Sequence, residues 1–276
     1  MAICDVCPRG CNLSEGQTGF CRARACVNGV ITSLNYGKIT SMALDPIEKK
    51  PLYHFYPKSK ILSVGSFGCN LRCPFCQNHQ ISMAGINDVA YRQILPEELV
   101  QTALTLQDTP QGNLGVAFTY NEPFIGFEFV RDTALLLKKA NLKTVLVTNG
   151  FVSLKCLEEL LPFVDAMNID LKGFNQAYYD YVGGRLEDVK KTIKTAYQKC
   201  HVELTTLIVP TKNDDEAEIK QEAAWIASLS DEIPLHISRY FPCYQSTIPA
   251  TDIKTIYCLR DVAQKYLKYV YAGNCG

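Results

Sequence analysis

The sequence has no surplus of charge: 28 Lys and Arg stand against 28 Asp and Glu over 276 residues, a formal net charge of zero. A broad surface for nucleic acid or another polyanion is therefore not indicated, though local basic patches are compatible with this balance. No apolar run approaches the roughly 20 residues that a membrane-spanning helix requires. The opening residues, Met-Ala-Ile-Cys-Asp-Val-Cys-Pro-Arg-Gly, lack the apolar stretch of a signal peptide, so a cytoplasmic location is expected. Internal repeats and low-complexity tracts are also missing. What remains is the composition of a globular protein, 47% hydrophobic and 20% charged, sized for one large domain or a domain with an appendage.

Against these absences stand thirteen cysteines. In a chain without an export signal they point to metal ligation rather than to disulfides. Cys69, Cys73 and Cys76 are spaced C-x3-C-x2-C within Gly68–Asn78. Clusters of four irons normally take four cysteine thiolates, so three on one loop leave an iron open to a substrate or cofactor. A zinc loop or three unrelated core cysteines are the plainer alternatives. A cluster of this kind is oxygen-sensitive, which suggests a low-oxygen setting. Cys4, Cys7, Cys11 and Cys21 form a second group, C-x2-C-x3-C-x9-C. Four thiolates so close suit a tetrahedral zinc site or an auxiliary iron–sulfur cluster, and spacing does not separate the two. Gly10, Gly16 and Gly19 fit a tight loop around a metal. The other six cysteines read as packing residues, with Cys26 a spare ligand.

After residue 57 the chain alternates short β-branched runs with helical ones. Strands are expected at 61–65, 115–120, 144–148, 166–170, 202–208 and 235–241. Helices are expected at 96–106, 126–139, 154–161, 186–199, 216–228 and about 252–267. Six strands separated by helices imply parallel pairing. The predicted fold is α/β: a partial (β/α)6 barrel at residues 58–242, preceded by a Cys-rich segment at 1–57 and followed by a helix and tail at 243–276. Chemistry in such barrels sits at the C-terminal ends of the strands. Cys69, Asn121-Glu122, Thr148-Asn149 and Asp170-Leu-Lys172 all fall there. Glu122 reads either as a carboxylate for an amino group of a ligand or as an acid opening a helix. Asp170 and Lys172 share one strand face, as a ligand-binding acid and base or as a capping ion pair. Thr148 and Asn149 could reach ribose hydroxyls or simply form an Asn-Gly turn. His236 reads as a cofactor contact or as a satisfied core histidine.

On these motifs the chain resembles the radical S-adenosylmethionine (SAM) superfamily, whose C-x3-C-x2-C loop carries an aromatic residue, here Phe75, before the last cysteine. The runs Asp45–Pro57, Gly68–Asn78, Thr119–Pro123, Thr148–Phe151 and Asn168–Gly173 resemble relatives of pyruvate formate-lyase activating enzyme. The N-terminal Cys-x2-Cys-Pro-Arg-x-Cys segment is most similar to the AmmeMemoRadiSam system branch. The resemblance implies a 4Fe-4S cluster on Cys69, Cys73 and Cys76, and SAM bound near Phe75, Asn78, Asn121, Glu122, Thr148, Asn149 and His236. Asp170 and Lys172 take SAM-site or catalytic roles. It implies reductive cleavage of SAM to a 5′-deoxyadenosyl radical that abstracts hydrogen from a substrate the branch does not define. An electron donor such as flavodoxin or ferredoxin is implied, with a protein substrate or a Memo- or AMMECR-type partner. A glycyl-radical activating enzyme and a non-catalytic metal module are the alternatives. One departure stands out: the activating enzymes carry an aspartate that helps bind a cation where this chain has Val147.

Overall fold

Apolar runs buried on both faces have one stable arrangement, a sheet covered by helices. The computed structural model, which describes residues 1–275, contains such a sheet. Its strands are β1 (Ser41–Pro46), β2 (Lys60–Gly65), β3 (Gly115–Phe118), β4 (Lys143–Thr148), β5 (Ala166–Asp170), β6 (His201–Ile208), β7 (Leu235–Arg239) and β8 (Val270–Gly273). They lie in the order β8-β7-β6-β5-β4-β3-β2-β1. Every neighbouring pair from β2 to β8 is parallel, and β1 runs antiparallel to β2. The architecture is the expected partial barrel, extended beyond six strands at both edges. β8 pairs Val270 with Leu235, and at four residues it is too short to announce itself. The sheet thus draws strands from all three expected segments, so the N-terminal and C-terminal stretches are built into the barrel.

Six helices fall where the periodicity places them: Pro96–Gln107, Phe127–Lys139, Leu154–Leu160, Leu186–Tyr197, Glu216–Leu229 and Ile253–Ala263. Phe129, Val130, Thr133, Ala134 and Leu137 recur at helical spacing and form the buried stripe of the second. Side-chain caps fix several starts. The Ala217 N–H donates to Asp215 (2.8 Å), and the Lys254 N–H donates to Asp252 (2.8 Å). The last helix stops at Ala263, short of the expected 267. A further helix, Gln176–Val182, was not expected. Three tyrosines in seven residues give it weak propensity. It is held instead by the Asn175 cap, which accepts from the Tyr178 N–H (2.7 Å), and by Gly183 in the left-handed region at its end (φ +79°).

The N-terminal ends of the strands are closed by residues 51–55. Leu52 and Phe55 are buried there, and Asn168 Nδ2 donates to the Pro51 carbonyl (2.9 Å). The anchor of this plug is Glu203 on β6, which is fully buried. Its carboxylate accepts from the Tyr53 N–H (3.0 Å) and the His54 N–H (2.7 Å), and it pairs with the ring nitrogens of His201 (3.0 Å) and His236 (2.7 Å). Burial alone would raise the Glu203 pKa; these four partners outweigh it and hold the group down at about 2. A carboxyl with a depressed folded pKa stabilises the fold above its unfolded pKa, and that stability is lost as pH falls toward the folded value. We therefore expect Glu203→Gln to cost on the order of 3 kcal/mol at pH 7. Urea unfolding at several pH values should show the gap between wild type and variant narrowing below about pH 4.5. A gap that stays constant between pH 7 and pH 3 would contradict this assignment.

Candidate active site

β2 ends at Gly65, and the chain turns through Gly68 in the left-handed region (φ +85°). A β-carbon at Gly68 would collide with the Cys21 carbonyl and Ala23, so only glycine lets the N-terminal segment pack this closely. The loop carrying Cys69, Cys73 and Cys76 begins here. Asn121 fastens its root. The Ser66 N–H donates to Asn121 Oδ1 (2.9 Å), while Asn121 Nδ2 donates to the carbonyls of Phe67 (3.2 Å) and Gly68 (3.1 Å). Tyr120, beside it, is held at φ +70°, a conformation unfavourable for a bulky residue. Its hydroxyl donates to Asp45 (2.8 Å) and its carbonyl accepts from Asn78 Nδ2 (2.7 Å).

Glu122 sits just past β3 and is buried. Oε1 accepts from the Phe124 N–H (3.0 Å), capping the short 3-10 turn Pro123–Gly126, and from the Thr148 hydroxyl (2.7 Å). Oε2 accepts from the Asn149 N–H (2.8 Å). One side chain thereby ties the C-terminal ends of β3 and β4 together. It also aims Asn149, whose Nδ2 donates to Asn70 Oδ1 (2.9 Å) and lies 3.6 Å from Cys69 Sγ. The helix-opening role of Glu122 is therefore present. A carboxylate has about four lone-pair sites, and three are used among the described residues, which leaves one on a side chain that lines the cavity at the C-terminal strand ends. Burial pushes the Glu122 pKa up to about 7, against the pull of its three donors. Asp170 and Lys172 form an ion pair (2.6 Å) on the interior face, with Leu171 buried opposite. Burial disfavours the Lys172 charge, but the neighbouring Asp170 and Cys73 outweigh it and raise its pKa.

Cys69, Cys73 and Cys76 line a cavity of about 390 Å³ at the C-terminal strand ends, within the range of about 300–1,000 Å³ usual for small-molecule sites. The expected Phe75, Asn78, Asn121, Glu122, Thr148, Asn149, Asp170 and Lys172 line the same cavity. His236 does not. It lies on the interior face of β7 but one layer lower, with Nε2 paired to Glu203 and the ring packed edge-on against Tyr53 (4.7 Å), so it belongs to the plug. Ser238 and Thr205, two residues further toward the C-terminal ends than His236 and Glu203, reach the cavity instead. Sequence reasoning did not single out these two, nor Lys49, Tyr120 or Asn274. Alternation counted on from His236 would have reached Ser238, and Lys49 lies within the run Asp45–Pro57. Val147 lines the cavity where the resemblance anticipates an aspartate.

The chemistry of this lining fits an iron–sulfur cluster with an amino-acid ligand. Burial pushes all three thiols up, that of Cys73 to about 11, so they are protonated unless a metal takes them as thiolates. The ring of Tyr178 stacks parallel to Phe75 (6.5 Å), the residue just before Cys76, and its buried hydroxyl has no hydrogen-bond partner among the described residues. The four N-terminal cysteines surround a second, separate cavity, lined also by Arg9 and Arg24. Cys26 is not part of it; its thiol lies 3.9 Å from Glu15.

Comparison with known proteins gives these features a context. A family model described as the radical SAM superfamily matches residues 63–223. The chain is 41% identical over 275 residues to an uncharacterized protein of Methanocaldococcus jannaschii, covering 98% of this chain and 80% of that one. It is 28% identical over 170 residues to the pyruvate formate-lyase-activating enzyme of Clostridium pasteurianum, covering 59% of this chain and 67% of the enzyme. Among solved structures, SuiB of Streptococcus suis bound to S-adenosylmethionine superposes with a TM-score of 0.61 at 14% identity. That match covers 78% of this chain and 52% of SuiB, and at this identity it speaks to the fold alone.

The geometry around Glu122 generates a prediction about stability. Glu122→Gln places an amide donor against N–H and O–H donors in a buried site. It should lower unfolding stability by about 1–3 kcal/mol and weaken SAM binding, because Asn149 loses its orientation. Denaturant unfolding and calorimetric titration of the same preparation check both. An unchanged unfolding midpoint would show that the carboxylate does not join the two strands.

Proposed function

The chain belongs to the radical SAM superfamily, and on that premise we propose that it is an enzyme that cleaves SAM reductively and uses the resulting radical on a substrate held in the barrel mouth. The observation that carries this reading is the meeting of Cys69, Cys73 and Cys76 with Glu122, Asp170 and Lys172 around one cavity. When bound, the cluster and SAM supply one-electron cleavage of a sulfonium C–S bond, giving methionine and a 5′-deoxyadenosyl radical.

The chain's own residues prepare that event. Cys69, Cys73 and Cys76 would hold the cluster, three thiolates where four irons normally take four. Asn149 donates toward the Cys69 sulfur and orients the loop. The free acceptor site of Glu122 receives the amino group of SAM. Lys172, kept protonated by Asp170, offers its charge to the SAM carboxylate. Phe75 sits in an aromatic nest with Tyr178 and Tyr240 that excludes water from the loop. Exclusion of water matters because a primary carbon radical reacts unselectively. The reducing electron comes from a low-potential carrier of the flavodoxin or ferredoxin class.

A second reading is a glycyl-radical activating enzyme, in which the substrate is a glycine loop of a partner protein. The similarity to the activating enzyme of Clostridium pasteurianum favours it. The AmmeMemoRadiSam branch rests on the N-terminal segment and would place the enzyme beside a Memo- or AMMECR-type partner.

The test is anaerobic reconstitution with iron and sulfide, reduction, and assay of 5′-deoxyadenosine. Wild type should form it, and the Cys69→Ala/Cys73→Ala/Cys76→Ala variant should not. Formation at the wild-type rate in that variant would overturn the proposal.

A further inference from the structure

We infer that Cys4, Cys7, Cys11 and Cys21 hold an iron–sulfur cluster rather than a single zinc ion, and that this cluster packs against the back of the Cys69 loop. The inference concerns a second set of thiols and goes beyond the reading of the barrel cavity.

The first observation is spacing. The four cysteines line one enclosed cavity with Arg9, Arg24 and Ile125. They ring it instead of converging on a point: among the described residues, no three Cys, His, Asp or Glu side chains reach the spacing of a single ion. Zinc–sulfur bonds of about 2.3 Å would draw the four sulfurs to within about 4 Å of one another. A cluster spreads its thiolates over several irons and needs a wider ring. Cys69, Cys73 and Cys76 likewise form no single-ion group among the described residues.

The second observation is Arg24, 4% exposed and part of the cavity wall. Its terminal nitrogens are committed: Nη1 donates to Glu128 (2.8 Å) and the Ile125 carbonyl (3.1 Å), and Nη2 donates to Glu128 (2.5 Å). Its Nε–H is buried and has no hydrogen-bond partner with good geometry among the described residues, although the Cys4 thiol lies close enough to act on the guanidinium. A buried donor without an acceptor is costly. Anionic cluster sulfur would supply that acceptor, and the Arg24 charge would offset the charge of four thiolates.

The third is position. The Cys4 N–H donates to the Cys11 carbonyl (2.9 Å), closing the ligand loop in advance of any metal. The Cys21 carbonyl fills the space beside Gly68, the residue before Cys69. Arg9 stacks over Phe20 (3.4 Å), and its Nε donates to the Asn70 carbonyl (2.8 Å), the residue after Cys69. The N-terminal ligand loop therefore clamps the Cys69 loop on both sides.

The Cys69→Ala/Cys73→Ala/Cys76→Ala variant isolates this site. Reconstituted anaerobically, it should carry about two or four irons with matching sulfide per chain, according to cluster type. Thiolate-to-iron absorption should accompany them, with only trace zinc. Adding Cys4→Ser and Cys7→Ser should remove that iron. About one zinc and no iron per chain, or iron indifferent to Cys4 and Cys7, would overturn the inference. If the triple variant does not fold, the Cys4→Ser/Cys7→Ser protein is compared with wild type by the same iron and zinc counts. Arg24→Lys keeps the pairing with Glu128 but removes the Nε donor; it should retain the iron and shift the midpoint potential to a more negative value. An unchanged potential would remove Arg24 from the site. A failure of the barrel reading is distinguishable, since wild type would then carry no more iron than the triple variant.

Discussion

The site depends on one buried carboxylate. Glu122 joins the C-terminal ends of two strands beyond their backbone pairing and core packing, and two of its three donors, Thr148 and Asn149, line the cavity. Removing a charge-accepting group from a buried cluster of donors costs more than a single hydrogen bond is worth in water. This asymmetry holds Thr148 and Asn149 in one orientation, and Asn149 in turn holds Asn70 and Cys69. The residue that would read as a ligand contact is at the same time the keystone of the loop it serves.

A second constraint links the two ends of the barrel. The run Asp45–Pro57 begins opposite Ile61, near the start of β2, where Asp45 accepts from the hydroxyl of Tyr120, whose backbone follows β3 at the rim, and pairs with the buried Lys50 (2.9 Å). It ends in the plug, where Tyr53 and His54 donate to Glu203. Burial works against the Asp45 charge, but Lys50 and Tyr120 hold its carboxyl well below the usual range. A buried ion pair of this kind is costly to break on one side. Tyr120 keeps its left-handed backbone because both its hydroxyl and its carbonyl are held.

The strands and helices of the barrel were legible because each is a short apolar or amphipathic run, and some of the helices carry a side-chain cap. The cysteine loop was legible because its spacing states a ligand count. β8 and the helix Gln176–Val182 were not, since neither is long enough to show a period and both are set by their neighbours. His236 illustrates the limit of alternation, which fixes the face of a strand but not the layer within a barrel. The layer depends on register with β6, where Glu203 waits as a partner. The orphaned Nε of Arg24 lies further out of reach, because it follows from Glu128 taking the other nitrogens across 104 residues.

Family membership and the cavity lining support a single proposal: that a cluster held by Cys69, Cys73 and Cys76 would have an iron open to SAM. Mössbauer spectroscopy of protein reconstituted with iron-57 tests it most directly. The account predicts that adding SAM changes the isomer shift of one iron in four at this cluster and leaves the remaining irons unaltered. A spectrum indifferent to saturating SAM would contradict it.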